Sequence, residues 1–295
     1  MILPKSMHSR VHAWFILIIL TVIWGSSFIL MKKGLVAFSS GEVAALRIFT
    51  ASLFMLPFAI SWMKQVPRSE YKIVFLSGLI GSLIPAFLFA VAQTKLDSAI
   101  TGIINSLTPV FVILVGAALF SQKISLKMIL GLLLALLGTL ALMRSGSDSD
   151  LSVNFYAGFI ILATILYGFN VNILKFRLSE INPIAVSSIS IVLCAPIALI
   201  HLLFFTDFLN QLFYVEGTVL AFGYISLLGV FGTGLALILF NFLIRLATPL
   251  FASSVTYLIP IVAVFWGIVD GETLSILQFG SMAVIIGGVY LANKK

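Results

Sequence analysis

Several hydrogen-bonding side chains lie inside long apolar runs of the sequence, at spacings that place them on shared helix faces. In the first run, residues recurring at i, i+4 and i+7 share one face of a helix, and a similar stripe lies in a second run. The six residues are Thr101, Asn105 and Thr108 in the first run and Ser253, Thr256 and Tyr257 in the second. Such stripes either join helices through interhelical hydrogen bonds or contact a small molecule. Under the second explanation, the expected contacts are Asn105, Thr256 and Tyr257.

Aromatic and amide side chains add to these candidates. Trp24 and Tyr167 lie well inside their apolar runs, away from the ends where aromatic belts lie if such runs cross a membrane. They either stack on or gate a flat substrate, or pack in the core. Asn170 and Gln93 are further candidate contacts, although Gln93 lies near the end of its run.

Two prolines occupy matching places in the runs that carry the polar stripes. We predict Pro109 and Pro260 to lie in helix interiors, where a proline removes one backbone hydrogen bond and frees a carbonyl. Freed carbonyls are tolerated at membrane depth where they line a cavity. The prolines are therefore either static packing kinks or functional bends, and their paired positions favour functional bends.

Arg47 is the one formal charge embedded in a predicted span. An arginine at the centre of a bilayer costs about 2.5–3.5 kcal/mol on insertion scales. Its position, predicted to be about one helical turn from the span's end, would allow the side chain to reach the headgroups. The alternative is that Arg47 attracts an anionic group of a substrate.

The residue pattern argues against enzymatic chemistry. The three histidines, His8, His12 and His201, are far apart, and neither a DxxD motif nor a zinc-binding HExxH motif occurs. The single cysteine, Cys194, builds neither a disulfide nor a metal site by itself. We therefore predict no enzyme activity, metal or cofactor. No carboxylate is predicted deep in a span, which argues against strong proton coupling.

The composition identifies the surroundings of these residues as lipid. The chain has 295 residues, 61% hydrophobic and 9% charged, with a mean hydropathy of +1.20. That apolar fraction exceeds what a water-soluble surface permits. Ten runs lack Asp, Glu, Lys and Arg, and they cover 11–31, 48–63, 73–94, 98–122, 128–143, 151–174, 181–206, 217–244, 246–269 and 273–293. We predict ten transmembrane helices, the two short runs being extended by Arg47 and Lys127.

The basic residues predict the orientation. If the N-terminus is cytoplasmic, twelve lysines and arginines lie in cytoplasmic segments, four lie outside and Arg47 lies in a span, which accounts for all 17. Basic residues are retained on the cytoplasmic side, so both termini are predicted there. The formal charge of +7 is scattered between the runs rather than gathered in a stripe, which argues against nucleic-acid binding.

The chain resembles itself at offsets of about 143 to 151 residues. The matches are Lys95–Ser98 with Arg245–Thr248, Leu107 with Leu258, Pro109 with Pro260, Gly116 with Gly267, Gly138 with Gly288, Trp24-Gly25 with Tyr167-Gly168, and Lys32 with Lys175. They predict two repeats, 13–143 and 151–292, joined by the polar linker 145–150. Each repeat has five spans, an odd number, so the second enters the membrane from the opposite side.

Several segments resemble the EamA-type repeats of the drug/metabolite transporter superfamily. They are Ile23–Phe28 with Lys32, Ala45–Ile48, Leu107–Val110, Tyr257–Ile261 and Gly271-Glu272. The resemblance covers about residues 13 to 292. It implies a bundle whose central cavity is lined by spans one, three, four, six, eight and nine, with spans five and ten outside.

The predicted fold is thus an all-α membrane protein of ten helices in two inverted five-helix repeats. The resemblance implies a secondary transporter in a prokaryotic inner membrane that exports small metabolites, such as amino acids or related compounds, or drugs, by alternating access. Its expected partners are a small-molecule substrate and the lipid bilayer, as a monomer or homodimer. A non-transporting assembly or regulatory subunit and a membrane-embedded enzyme are the alternatives.

Overall fold

The computed structural model describes most of the chain. The described residues are 5–122, 125–144, 151–215, 217–247, 249–253, 255–271 and 275–293. The predicted linker 145–150 and Glu272 lie outside them. All regular secondary structure in the described residues is helical, which confirms the predicted all-α class.

Fifteen α-helices are described, together with short 3₁₀ and π segments. The α-helices are α1 (Lys5–Leu35), α2 (Ser40–Trp62), α3 (Tyr71–Gly78), α4 (Ile84–Gln93), α5 (Ser98–Asn105), α6 (Thr108–Phe120), α7 (Leu126–Arg144), α8 (Leu151–Phe176), α9 (Pro183–Phe204), α10 (Phe208–Tyr214), α11 (Thr218–Leu227), α12 (Ala236–Leu246), α13 (Pro249–Ser253), α14 (Val255–Val269) and α15 (Ile276–Asn293). The 3₁₀ segments are Met63–Gln65 and Arg68–Glu70. The π segments are Leu79–Leu83 and Leu228–Leu235.

Eight helical stretches of the described residues are long and apolar enough to cross a membrane. They are Val11–Leu35, Ser40–Gln65, Arg68–Gln93, Ser98–Phe120, Phe155–Phe176, Pro183–Phe204, Thr218–Leu246 and Phe251–Val269. The apolar stretches Leu126–Ala135 and Ile276–Gly288, within α7 and α15, are shorter. The multi-pass architecture is therefore confirmed, and the count of ten spans stays a prediction.

The outward surface of the bundle is apolar. On α1, Val11, Phe15, Ile18 and Val22 recur at helical spacing, and each is more than half exposed. A stripe of this kind has no stable place in water, because each side chain would keep its apolar area hydrated. Lipid is the environment that suits it.

Helix α2 begins well before its apolar run. Ser39 and Glu42 form a capping box, in which the Glu42 backbone N–H donates to Ser39 Oγ at 3.3 Å and the Ser39 backbone N–H donates to Glu42 Oε2 at 2.8 Å. The cap starts the helix at Ser40. Arg47 is therefore two helical turns inside α2, not one turn from its end as the apolar run alone predicts.

The most extensive helix pairings join the two predicted repeats to each other. Helix α2 packs on α9, α7 on α15, α1 on α14, and α6 on α8. Two glycines allow close approaches to backbone carbonyl oxygens of the other predicted repeat. A Cβ at Gly78 would lie 2.3 Å from the Ser190 carbonyl oxygen, and one at Gly229 would lie 2.7 Å from the Arg47 carbonyl oxygen. Gly78 and Gly229 are 151 residues apart, and Arg47 and Ser190 are 143 apart, so the two contacts are equivalent.

Candidate functional site

A cavity of about 110 Å³ lies at the centre of the bundle, between the two predicted repeats. Its wall is formed by parts of α1, α2, α4, α5, α6, α8, α12, α14 and both π segments. Most of the lining falls into pairs at the two offsets of the internal repeat. At offset 143 the pairs are Trp24/Tyr167, Ser27/Asn170 and Phe28/Val171, and at offset 151 they are Gly81/Gly232, Ser82/Thr233, Phe89/Phe240, Asn105/Thr256 and Thr108/Ile259. Sixteen of the nineteen lining residues are thus paired, so the two repeats contribute equivalent positions to one cavity.

The structure brings together seven of the residues singled out from the sequence. Trp24, Arg47, Asn105, Thr108, Tyr167, Asn170 and Thr256 line the cavity. The remaining six, Gln93, Thr101, Pro109, Ser253, Tyr257 and Pro260, are not among the lining residues.

Some of the polar candidates bond within the helix bundle. Gln93 Nε2 donates to the Phe28 carbonyl at 3.1 Å, which ties α4 to α1. Thr256 Oγ1 donates to the Ser253 carbonyl at 2.8 Å, within its own chain segment. Ser77 Oγ donates to Asn170 Oδ1 at 2.6 Å. Asn170 and Thr256 therefore both form hydrogen bonds within the bundle and line the cavity.

The paired aromatics both face the cavity and pack against other rings. Trp24 lies 5.1 Å from Phe240 between ring centroids, and its Nε1–H donates to the carbonyl of Gly232 at 2.9 Å. Tyr167 stacks on Phe89 at 6.1 Å. Trp24 therefore satisfies a carbonyl of the second π segment while one side of its ring faces the cavity.

The two π segments were not predicted, and they supply four of the lining residues. In a π segment one extra residue is inserted in the helical turn, which often occurs at functional sites. A sequence signal exists, because Gly78-Leu79-Ile80-Gly81-Ser82 and Gly229-Val230-Phe231-Gly232-Thr233 share glycine and a hydroxyl residue at offset 151. The glycines have a steric reason too, since a Cβ at Gly81 would lie 2.1 Å from Asn170 Nδ2.

The prolines differ between the repeats. Pro109 lies in the first turn of α6, because α5 ends at Asn105 and α6 begins at Thr108, so it is not in a helix interior as predicted. The Thr108 hydroxyl donates to the Asn105 carbonyl at 2.8 Å and replaces the bond that the Pro109 nitrogen cannot make. Pro260 is inside α14 as predicted, and its missing N–H leaves the Thr256 carbonyl without a helical donor. Asn105 and Thr256 both line the cavity wall, and of their two carbonyls that of Thr256 lacks a donor from its own helix.

Arg47 points into the bundle. Its Nε–H donates to Thr233 Oγ1 at 2.7 Å, across from α2 to the second π segment. Arg47 is one of the residues of the cavity wall. The carboxylate of Asp270 pairs with Lys32 and Lys33 and not with Arg47.

Polar contacts close the bundle on either side of the cavity. Helix α1 runs antiparallel to the helical stretch Thr218–Leu246, since Gly34 approaches Ile225 while Trp24 contacts Phe240. Lys32 and Lys33 near the end of α1 pair with Asp270 after α14, and these two ammonium groups hold the pKa of Asp270 below its ordinary value. On the opposite side, an Nη2–H of Arg245 donates to the Ser179 carbonyl at 2.5 Å and the Ile181 carbonyl at 2.6 Å.

A bundle of membrane-spanning helices around a central cavity is the architecture of a multi-pass solute-handling protein. The model of the EamA-like transporter family matches the chain twice, over residues 12–144 and 154–294. The chain belongs to the EamA-like transporter family.

Relatives extend over nearly the whole chain. An uncharacterized transporter of Archaeoglobus fulgidus is 23% identical over 288 residues, covering 96% of this chain and 99% of the relative. The uncharacterized inner membrane transporter YedA of Escherichia coli K12 is 26% identical over 280 residues, covering 93% and 88%. A crystal structure of a protein with 17% identity shares the fold, with a TM-score of 0.66 over 95% of this chain and 96% of that one. The chain is a multi-pass transporter of the prokaryotic cell membrane.

Proposed function

We propose that the chain is a secondary transporter that exports a small metabolite through the central cavity by alternating access. The single observation that carries the proposal is the pairing of the cavity wall, in which equivalent positions of two repeats surround one space. Two related halves around one site offer two equivalent arrangements, each open to one side of the membrane.

The proposed architecture has ten spans in two repeats, 13–143 and 151–292, inserted in opposite directions with both termini in the cytoplasm. Helices α7 and α15 would be the fifth and tenth spans, and they pack on each other away from the cavity lining. The equivalent glycine contacts, Gly78 on Ser190 and Gly229 on Arg47, support a two-fold relation between the repeats.

The proposed substrate contacts are the polar and aromatic residues of the cavity wall. Asn105 and Thr256 have equivalent positions, and each lies four residues before a proline. The Asn105 carbonyl accepts the Thr108 hydroxyl, whereas the Thr256 carbonyl has no donor from its own helix. The Thr256 carbonyl, an amide and a hydroxyl offer a substrate both donors and acceptors in an otherwise apolar space. Trp24 and Tyr167 would pack against the apolar part of the substrate.

The substrate is sought by comparing external metabolites of cells with and without the gene. Flux of the metabolite found is then measured in proteoliposomes that contain wild-type protein or the Asn105→Leu or Thr256→Val variant. Thr164→Val is the matched control, because Thr164 is also buried and also donates to the carbonyl three residues earlier, at 2.7 Å, but does not line the cavity. We expect loss of flux in the two cavity variants and near-normal flux in the control. Unchanged flux in both cavity variants would remove the assignment of the site.

A further inference from the structure

The cavity carries one formal charge, and it is positive. Of the nineteen lining residues, Arg47 is charged and none is aspartate, glutamate, lysine or histidine. The rest of the wall consists of aromatic and aliphatic groups and of neutral amides and hydroxyls. A cationic substrate would therefore meet a like charge and find no carboxylate on this wall.

The protein does not neutralise this charge. The hydrogen bond of Arg47 to a protein group is from Nε to the neutral hydroxyl of Thr233, at 2.7 Å. Among the described residues, no carboxylate is within ion-pairing distance of the guanidinium. A charge held away from bulk water is costly unless an opposite charge accompanies it, so an entering anion would gain an interaction that the empty cavity lacks.

The geometry of the side chain favours one kind of anion. With Nε bound to Thr233, the two terminal nitrogens of the guanidinium are the donors left for a ligand, and their planar fork matches the two oxygens of a carboxylate. The equivalent position in the other repeat is Ser190, which is buried and donates to the Ser187 carbonyl at 3.0 Å. The repeat therefore supplies one cationic group and not two, which suits a monoanion better than a phosphate dianion.

The size of the cavity bounds the remainder of the ligand. An engineered cavity of about 150 Å³ holds benzene, so a space of about 110 Å³ fits a compact molecule unless the walls move. The same wall offers the rings of Trp24, Phe28 and Phe240, which suit a short apolar chain.

We propose that the central cavity binds a small monocarboxylate, whose carboxylate pairs with Arg47 and whose apolar remainder packs against the aromatic wall. Thr233 is a positioning residue, because it holds the guanidinium at Nε. This inference rests on the proposed transport function and names the class of its substrate.

The test compares ligands of one shape and different charge. Purified full-length protein in detergent is titrated with butyrate, butyramide, n-butylammonium and inorganic phosphate, and binding is followed by the fluorescence of Trp24, a cavity residue, and by the shift in unfolding temperature. Trp24→Phe shows which part of the fluorescence change comes from the cavity. For wild-type protein we expect butyrate to bind at least about tenfold more tightly than butyramide and to raise the unfolding temperature more than the other probes.

Variants then assign the preference to one side chain. In Arg47→Gln the preference for butyrate over butyramide should fall below about twofold, and Thr233→Val should reduce it while leaving Arg47 in place. Equal binding of butyrate and butyramide to wild-type protein would overturn the inference without any variant. So would tighter binding of n-butylammonium or phosphate, or a preference that persists in Arg47→Gln.

The result is separable from the transport proposal. If butyrate shows no preference but a cysteine placed in the cavity reacts from both sides of the membrane, transport stands and the carboxylate class is wrong. If butyrate binds through Arg47 but the cavity never opens to both sides, the site stands and transport is wrong.

Discussion

The two equivalent glycine contacts between the predicted repeats give a quantitative prediction. In Gly78→Ala the new methyl carbon would lie 2.3 Å from the Ser190 carbonyl oxygen and 2.9 Å from Cys194 Sγ, whereas ordinary contact begins near 3.4 Å. The helices must therefore separate by about 1 Å, and the atom in the way is backbone that cannot rotate aside. Overpacking of this kind costs about 1–3 kcal/mol. In Gly229→Ala the new methyl carbon would lie 1.9 Å from Thr50 Oγ1 and 2.7 Å from the Arg47 carbonyl oxygen, so this variant should lose stability in the same way.

The loss of stability is best measured against a substitution at a glycine that has free space around it. A Cβ at Gly223 has nothing within 4 Å, so Gly223→Ala reports only the gain in helix propensity, up to about 1 kcal/mol. The unfolding free energies of the three variants are compared by denaturant titration in mixed micelles. We expect Gly78→Ala and Gly229→Ala to be about 1–3 kcal/mol less stable than Gly223→Ala. Equal stability of all three would refute the close contact between the repeats and, with it, the equivalence of the two halves.

Three further predictions address the ends, the orientation and the aromatic wall. Asp270→Asn should lower the free energy of unfolding by up to about 1 kcal/mol, because partly exposed ion pairs contribute little. Because the pKa of Asp270 is depressed from 3.8, the contribution of the ion pair is complete above about pH 4 and is lost only as the pH falls below that. The unfolding temperatures of wild type and Asp270→Asn should therefore differ equally at pH 7 and pH 5 and converge under stronger acid. Reporter tags inserted in 145–150 should lie outside the cytoplasm and tags beside Lys64 inside it, and a cytoplasmic 145–150 would contradict the inverted arrangement. Trp24→Phe should lower the free energy of unfolding by about 1–3 kcal/mol, because the Gly232 carbonyl loses its donor. Trp14→Phe, at a half-exposed ring, should lower it little. Equal stability of the two variants would show that the Trp24 hydrogen bond does not stabilise the protein.

The fold class was largely predictable from the sequence, since long uncharged runs specify helices in lipid and their spacing specifies short connections. The start of α2 was not, because Ser39 and Glu42 cap a helix whose first two turns include polar and charged residues. Arg47 was therefore placed too near a membrane edge. The break between α5 and α6 was also not predictable, because a proline in the middle of a span is equally consistent with a bend and with the start of a new helix.

The candidate site was predictable where one helix face carries the signal. Asn105 and Thr108 share such a face, and Trp24 and Tyr167 match at a fixed offset, so the sequence pointed to all four. The sequence also pointed to Thr101 and Tyr257, which do not line the cavity. Periodicity gives the direction of a side chain but not which neighbouring helix covers it. The π segments depend on glycine contacts between distant helices, such as Gly229 with α2, and single-chain periodicity contains no such information.

Cysteine accessibility tests whether one cavity between two repeats opens alternately to each side of the membrane. Cys194 is buried and is the only cysteine, so Cys194→Ala gives a background without thiols. Asn105→Cys is introduced on the cavity wall, with Thr164→Cys as a buried control. Membrane-impermeant thiol reagents are then applied to intact cells and to inside-out vesicles. If the cavity opens alternately, Asn105→Cys reacts in both preparations and Thr164→Cys in neither. Reaction of Asn105→Cys from one side alone, or from none, would rule out alternating access through this cavity.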